Sequence, residues 1–215
     1  MNKEEKIMAI NKKKPMLKET VGAQYYAFNK PDENGDMDYS AYEDVIKTET
    51  VKKIGVTENG GNTNVRASGK DYGNFNNISS IDLAIEVVAF PPEDLARMRA
   101  DKVSETGLNT SGGSQERPYF AYGKVVKKTN NKVRYEWFPK CQLLENTDDI
   151  ETSNDTFSEQ KDTVTVRCYP FDEEGNIRNY VDSEMKNFPK GLTEDKFFAK
   201  PIVTNSDLTT ATAGA

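Results

Sequence analysis

The sequence predicts a mainly β protein with one short α-helix and long loops, its strands numbering roughly eight to ten at the usual five to six residues each. Two observations carry this. Aliphatic side chains alternate with others over strand-length stretches, most clearly where Ile81, Leu83, Ile85 and Val87 share a face and Asp82, Ala84, Glu86 and Val88 take the opposite one. Clusters of Pro, Asn, Asp and Gly punctuate those stretches, at 31–35, 129–131 and 172–176, whereas a convincing helix signal occurs in one place.

Taken in order, residues 1–20 are polar, have no apolar face to bury and are expected to be flexible. Met8-Ala9 follows Lys3-Glu4-Glu5, which a purine-rich ribosome-binding sequence encodes when read in frame, so translation is expected to start at Met8. Val21–Phe28 (VGAQYYAF) reads as a strand running into the turn Pro31-Asp32-Glu33-Asn34-Gly35. The oxygen-bearing residues from Asp32 to Glu43 have the superficial spacing of a calcium loop, but Met37 stands where the sharp bend needs glycine. Val45–Val56 reads as a strand, with a hairpin turn at Asn59-Gly60-Gly61-Asn62. Beyond it, residues 63–77 lack apolar periodicity and read as a mobile excursion anchored only by Tyr72 and Phe75.

The 81–88 strand leads into the helix opened by Pro91-Pro92-Glu93-Asp94. Proline suits a first turn, acids complement the helix N-terminus, and Arg97, Arg99 and Lys102 lie toward the other end. Leu95 and Met98 form its buried stripe and Gly107 is the expected stop. Tyr119–Lys128 and Lys132–Cys141 flank Thr129-Asn130-Asn131, where asparagine tolerates the left-handed conformation of a tight hairpin. Val133, Tyr135, Trp137 and Cys141 share parity, as do Val164, Val166 and Cys168 in the next strand, so both cysteines are expected to be buried, reduced and structural. The candidate core is therefore Ile81, Leu83, Ile85, Val87, Leu95, Met98, Val133, Tyr135, Trp137, Val164, Val166 and Cys168. Leu192–Asp195 can start a helical turn carrying Phe197 and Phe198, and the small polar residues 204–215 are expected to fray. The domain reading is one β domain over 21–203 between two flexible ends.

Composition excludes several function classes. With 0 histidines in 215 residues, Ser-His-Asp and Cys-His nucleophilic sites and His-ligated zinc are out, and two cysteines are too few for a four-sulfur metal site. The carboxylates of Asp148-Asp149-Glu151 and Asp172-Glu173-Glu174 fall in turn-like polar segments, which argues against an acid/base pair with a raised pKa. No phosphate-binding glycine motif occurs. No enzyme activity, cofactor or metal is expected. A net charge of −6 argues against general attraction to nucleic acid or anionic membranes, and the basic run Asn11–Pro15 reads as a solvated terminal segment. Neither a secretory signal nor a bilayer-spanning run is present, so the expectation is synthesis in the cytoplasm without a membrane anchor.

The strand 78–88 leading to PPEDLARMRAD, and then the stretch PYFAYGKVVKKTNNKVRYEWFPKCQLLENTDDIETSNDTFSEQKDTVTVRCYP, resembles the major tail protein of long-tailed siphophages. Phe120–Trp137 is similar to that family's central hairpin, and 151–160 with 162–166 to the acidic-Thr segment and strand that follow it; the likeness runs from Val21 to Ile202 in order of elements. The resemblance implies a tail-tube-type β-sandwich or barrel, and the extra C-terminal immunoglobulin-like domain of many relatives is not expected here. It also implies a non-enzymatic virion subunit that self-assembles as stacked hexameric rings, forming the tube through which DNA is ejected. Implied partners are a tape-measure protein, a tail-tip initiator and a tail terminator. Six copies at −6 each bring a formal −36 per ring, which suits non-adhesive passage of DNA wherever the acids line the bore. Ring closure joins strands edge to edge, while stacking stays open. The excursion 39–77 is the candidate for reaching a neighbouring subunit or ring, with Tyr39, Tyr42, Tyr72 and Phe75 as candidate contacts.

A second reading, from another class, is a monomeric β-sandwich carbohydrate-binding or adhesion module of a virion or cell surface. Its sugar-stacking face would be Tyr119, Phe120, Tyr122, Tyr135 and Trp137.

Overall fold

The computed structural model describes residues 13–113, 115–152 and 161–213. The element order is β1 (Lys18–Phe28), β2 (Ile46–Thr48), β3 (Val51–Ala67), β4 (Lys70–Val87), α1 (Pro92–Arg99), β5 (Lys102–Val103), β6 (Asn109–Thr110), β7 (Phe120–Lys128), β8 (Lys132–Asp149), β9 (Lys161–Cys168), β10 (Asn179–Asp182), α2 (Glu194–Phe197) and α3 (Asn205–Ala213). The protein is mainly β. One eight-stranded antiparallel sheet has the order β2-β1-β7-β8-β9-β4-β3, with β10 added to β8, and a minor pair joins β5 to β6. The sheet curls until β3 lies against β1 without pairing to it.

Two cores follow from this curl. Inside it, Tyr26, Phe28, Ile81, Leu83, Ile85, Val87, Met98, Phe120, Tyr122, Phe138, Cys141, Val164, Val166 and Cys168 form one buried cluster, with Leu95 partly buried against it. On the opposite face of β1, β7 and β8, Tyr25, Ala121, Val125, Tyr135 and Trp137 are covered by Leu192, Phe197, Phe198 and Ile202 from the C-terminal segment, and Val133 is partly buried there. The indole of Trp137 fastens this cover by donating to the Phe197 carbonyl at 3.1 Å, and Tyr25 stacks on Phe198 with centroids 3.9 Å apart. Because both faces are covered, β1 reads as a continuous buried run over its second half rather than an alternation.

Several elements depart from the sequence expectation, each for a local physical reason. Gly60 and Gly61 lie within β3, and the hairpin turn is two-residue Ser68-Gly69, whose φ values of 52° and 73° suit the right-handed twist of the strands. The excursion expected over 63–77 is thereby one long hairpin. The strand begins three residues before Val21 because the β7–β8 hairpin extends far enough to pair Lys18 with Lys128 and Thr20 with Lys127. Ala100, left-handed at φ 60°, ends α1 by donating its N–H to Ala96 and Arg97 carbonyls, so Gly107 serves a later turn. Two further helices accompany α1. The expected fraying of 204–215 gives way to α3 because the Asp207 carboxylate accepts from Thr204 N–H at 2.8 Å and the Thr204 hydroxyl accepts from Asp207 N–H at 3.2 Å, a reciprocal N-terminal cap. Leu208 and Ala211 then lean on the second core. The proposed start at Met8 and residues 153–160 of the family likeness lie outside the described residues.

Candidate assembly surfaces

The β3–β4 hairpin divides into a held base and a free arm. β9 pairs with β4 over 81–87, so among the described residues the two strands from Gly60 to the tip pair with each other alone. Eight residues at about 3.3 Å each make an arm of roughly 26 Å. Its start is a bulge between Asn59 and Gly60, where a Cβ on Gly60 would stand 2.2 Å from the Asn77 carbonyl oxygen and only glycine fits. The arm's side chains are mostly Asn, Thr and Gly. Arg66 meets Asp71 at 2.9 Å, an exposed pair worth about 1 kcal/mol or less. A two-stranded hairpin on its own is marginal in water.

The base is held by charge-assisted hydrogen bonds. Arg167 grips Asp82 at 2.8 and 2.9 Å, and Asn59 donates to the same carboxylate at 2.8 Å. The Arg167 guanidinium keeps the Asp82 carboxyl below its ordinary range, against the opposing effect of burial. One position further along, Glu58 pairs with Arg178 at 3.2 Å.

The sheet also keeps an open edge. Among the described residues β3 is its last strand and no other strand pairs with its outer edge, while on β1 the three-residue β2 covers only Gln24–Tyr26. Between these two edges lies a groove of about 840 Å³. Lys18, Lys52, Lys53, Lys124, Arg134 and Arg178 line it against two acids, Glu19 and Glu58, an excess of positive charge in a chain that is negative as a whole. Lys124 and Arg134 clamp the buried Glu136 carboxylate from two sides, at 3.0 and 2.6 Å. Burial pushes the Lys124 ammonium below its ordinary pKa despite the pull of Glu136.

The four candidate contact residues fall into two groups. Tyr42 donates to the Pro139 carbonyl at 3.0 Å and leans on the second core, and Tyr39 packs its ring 6.5 Å from that of Phe171, so both are engaged within the chain. Tyr72 stands near the arm's tip at 79% exposure; Phe75 pairs its backbone with Thr63, and its side chain lies outside the described residues. Of the aromatic face suggested for sugar stacking, Phe120, Tyr122, Tyr135 and Trp137 are buried, so that face does not exist on the surface. Asp32, at the head of the calcium-like spacing, accepts from the N–H groups of Asn34 and Asp36, both at 2.9 Å. The Lys124–Glu136 pair and the β3 edge were not foreseen; counting six residues each way from Asn130 would have placed that lysine opposite that glutamate.

Among the described residues no group of His, Cys, Asp or Glu is placed to hold a metal ion, and no helix is long and apolar enough to cross a membrane. No protein-family model matches the chain. No curated protein matches it either. Among solved structures it is similar to a chain of the cryo-EM structure of the anti-feeding prophage (AFP) baseplate, 6-fold symmetrised, with a TM-score of 0.43 and 9% identity over 81% of this chain and 100% of that one.

Proposed function

We propose that this chain is a structural, non-enzymatic subunit of a phage virion, the tail-tube protein that stacks as hexameric rings around the path of the DNA. The reading rests on the sequence resemblance together with one observation: a long β3 edge with which no other strand pairs among the described residues, running out into an exposed two-stranded arm. Edges of this kind are normally blocked in monomers, because they template pairing with another chain. In a ring the β3 edge of one subunit meets the free stretch of β1 on the next, a heterologous contact that closes when the rotation closes, while the arm reaches across to the neighbouring subunit or ring. Tape-measure, initiator and terminator proteins are the partners this role requires, and the virion is its location.

The test is negative-stain electron microscopy across a concentration series, with sizing on the same samples. Rings or hollow tubes of constant diameter are the expected result. A protein that stays monomeric at every concentration, and also when tail-tip proteins are added, overturns the reading.

A further inference from the structure

Cys141 on β8 and Cys168 on β9 are direct Cα partners at the centre of the sheet. Which kind of pair they form can be read from the ladder. The N–H of Tyr169 donates to the carbonyl of Lys140 at 2.8 Å, so the hydrogen bond lies between the residues flanking the two cysteines, and the cysteines occupy a non-hydrogen-bonded site. At such sites Cα atoms lie about 4.5 Å apart and side chains approach most closely, which falls within the roughly 4.4–6.8 Å span that a disulfide bridges. The two Sγ atoms are in hydrogen-bond contact at 3.2 Å, with the Cys141 thiol also directed at the Phe138 carbonyl at 3.3 Å. Both thiols are free and buried in the main core.

We propose that Cys141 and Cys168 are a latent cross-strand disulfide, reduced while the protein is in a reducing compartment and closed by thiol–disulfide exchange with a low-molecular-weight disulfide once it is not. One cysteine thiolate attacks the small disulfide, forming a mixed disulfide and expelling one small thiolate. The other cysteine attacks the protein sulfur of that intermediate and expels the second. The small disulfide gains the two electrons, and the two protons from the cysteines end on the released thiols. Burial raises the Cys168 thiol well above its ordinary pKa, so closure in the folded domain is slow. The inference is independent of the tail-tube reading, because it concerns the register of two strands within one subunit.

The test is an equilibrium one, so slow closure does not obscure it. The full chain is incubated to constancy in glutathione redox buffers, with and without denaturant, then acid-quenched, alkylated and weighed intact. The expected result is a closed form that takes up no alkyl group and is 2 Da lighter than the reduced protein before alkylation. Its effective thiol concentration should be at least 100-fold higher in the folded state than in denaturant, because the register holds the sulfurs together. Cys141→Ala and Cys168→Ala should each show no 2 Da loss and at most a glutathione adduct. Equal or lower effective concentration in the folded state overturns the proposal, as does a folded protein whose two thiols both remain alkylatable at every oxidised poise.

Discussion

The three strands β1, β7 and β8 and the distal arm of β3–β4 are both antiparallel ladders, yet they are held by different things. In the first, both faces are buried, with Phe28, Phe120 and Tyr122 inside the curl and Tyr25 and Trp137 beneath the C-terminal cover. The second has no buried side chain beyond Ser80 among the described residues and is held by backbone pairing and one exposed ion pair, with two bulges. Strand geometry is thus nearly independent of local stability. The core strands should open only with global unfolding, whereas the arm opens on its own.

Mutations test that division, beginning with the largest effect. Trp137→Ala removes a fully buried indole and its bond to Phe197, and should lower the free energy of unfolding by about 3–5 kcal/mol in urea titration. At the far end of the same hairpin, Lys128 meets Asp182 and Glu184, both at 2.5 Å. Burial alone would raise the Asp182 carboxyl, but the Lys128 ammonium outweighs it and holds the folded pKa below the ordinary 3.8. That contribution is present above pH ~4 and lost as pH falls through the depressed folded value. Burial alone would likewise lower Lys128, but its two carboxylates raise it above 10.5, so its share is complete below that pH and is lost only above the raised value. Asp182→Asn should destabilise by about 1.5–3 kcal/mol at neutral pH and flatten the acid limb of the stability profile.

Gly123→Ala probes packing without deleting anything. Its Cβ would lie 2.7 Å from a Phe198 ring carbon and 3.1 Å from Trp137, so a loss of about 1–3 kcal/mol is expected. Gly60→Val makes a still closer clash, yet it falls in the arm, and there the urea midpoint should hold within about 0.5 kcal/mol while amide exchange over 60–78 accelerates. A shift in global stability as large as that of Gly123→Ala would break the division between core and arm. Smallest in stability is Tyr72→Ser, which should leave the monomer unchanged and raise the protein concentration at which rings or tubes appear in sizing experiments.

Where a side chain's face was decided by its own neighbours, the sequence was readable. Ile81, Leu83, Ile85 and Val87 alternate because one side of β4 meets the core, and Asn130-Asn131 marks its loop by tolerating φ values of 58° and 55°. The arm was not readable in that way, since Gly60-Gly61 signals a turn locally and becomes strand only because β4 supplies partners as far as Lys70. Likewise β10 and α3 depend on docking against β8 and the second core, and their residues carry little periodicity of their own. As for the candidate contacts, Tyr42 and Tyr72 look alike in sequence; only the fold separates an engaged ring from an exposed one.

The open edge of β3 is guarded unevenly. Lys52, Lys53 and Glu58 place charge along its first half, whereas from Gly60 to the turn Arg66 is the one charged residue. Unwanted pairing between copies should therefore begin at the far end, where charge repulsion does least to discourage a second chain. For anyone handling the protein, the useful additive is one that competes for bare peptide groups, such as low urea, and raising the salt will keep solutions clear less well.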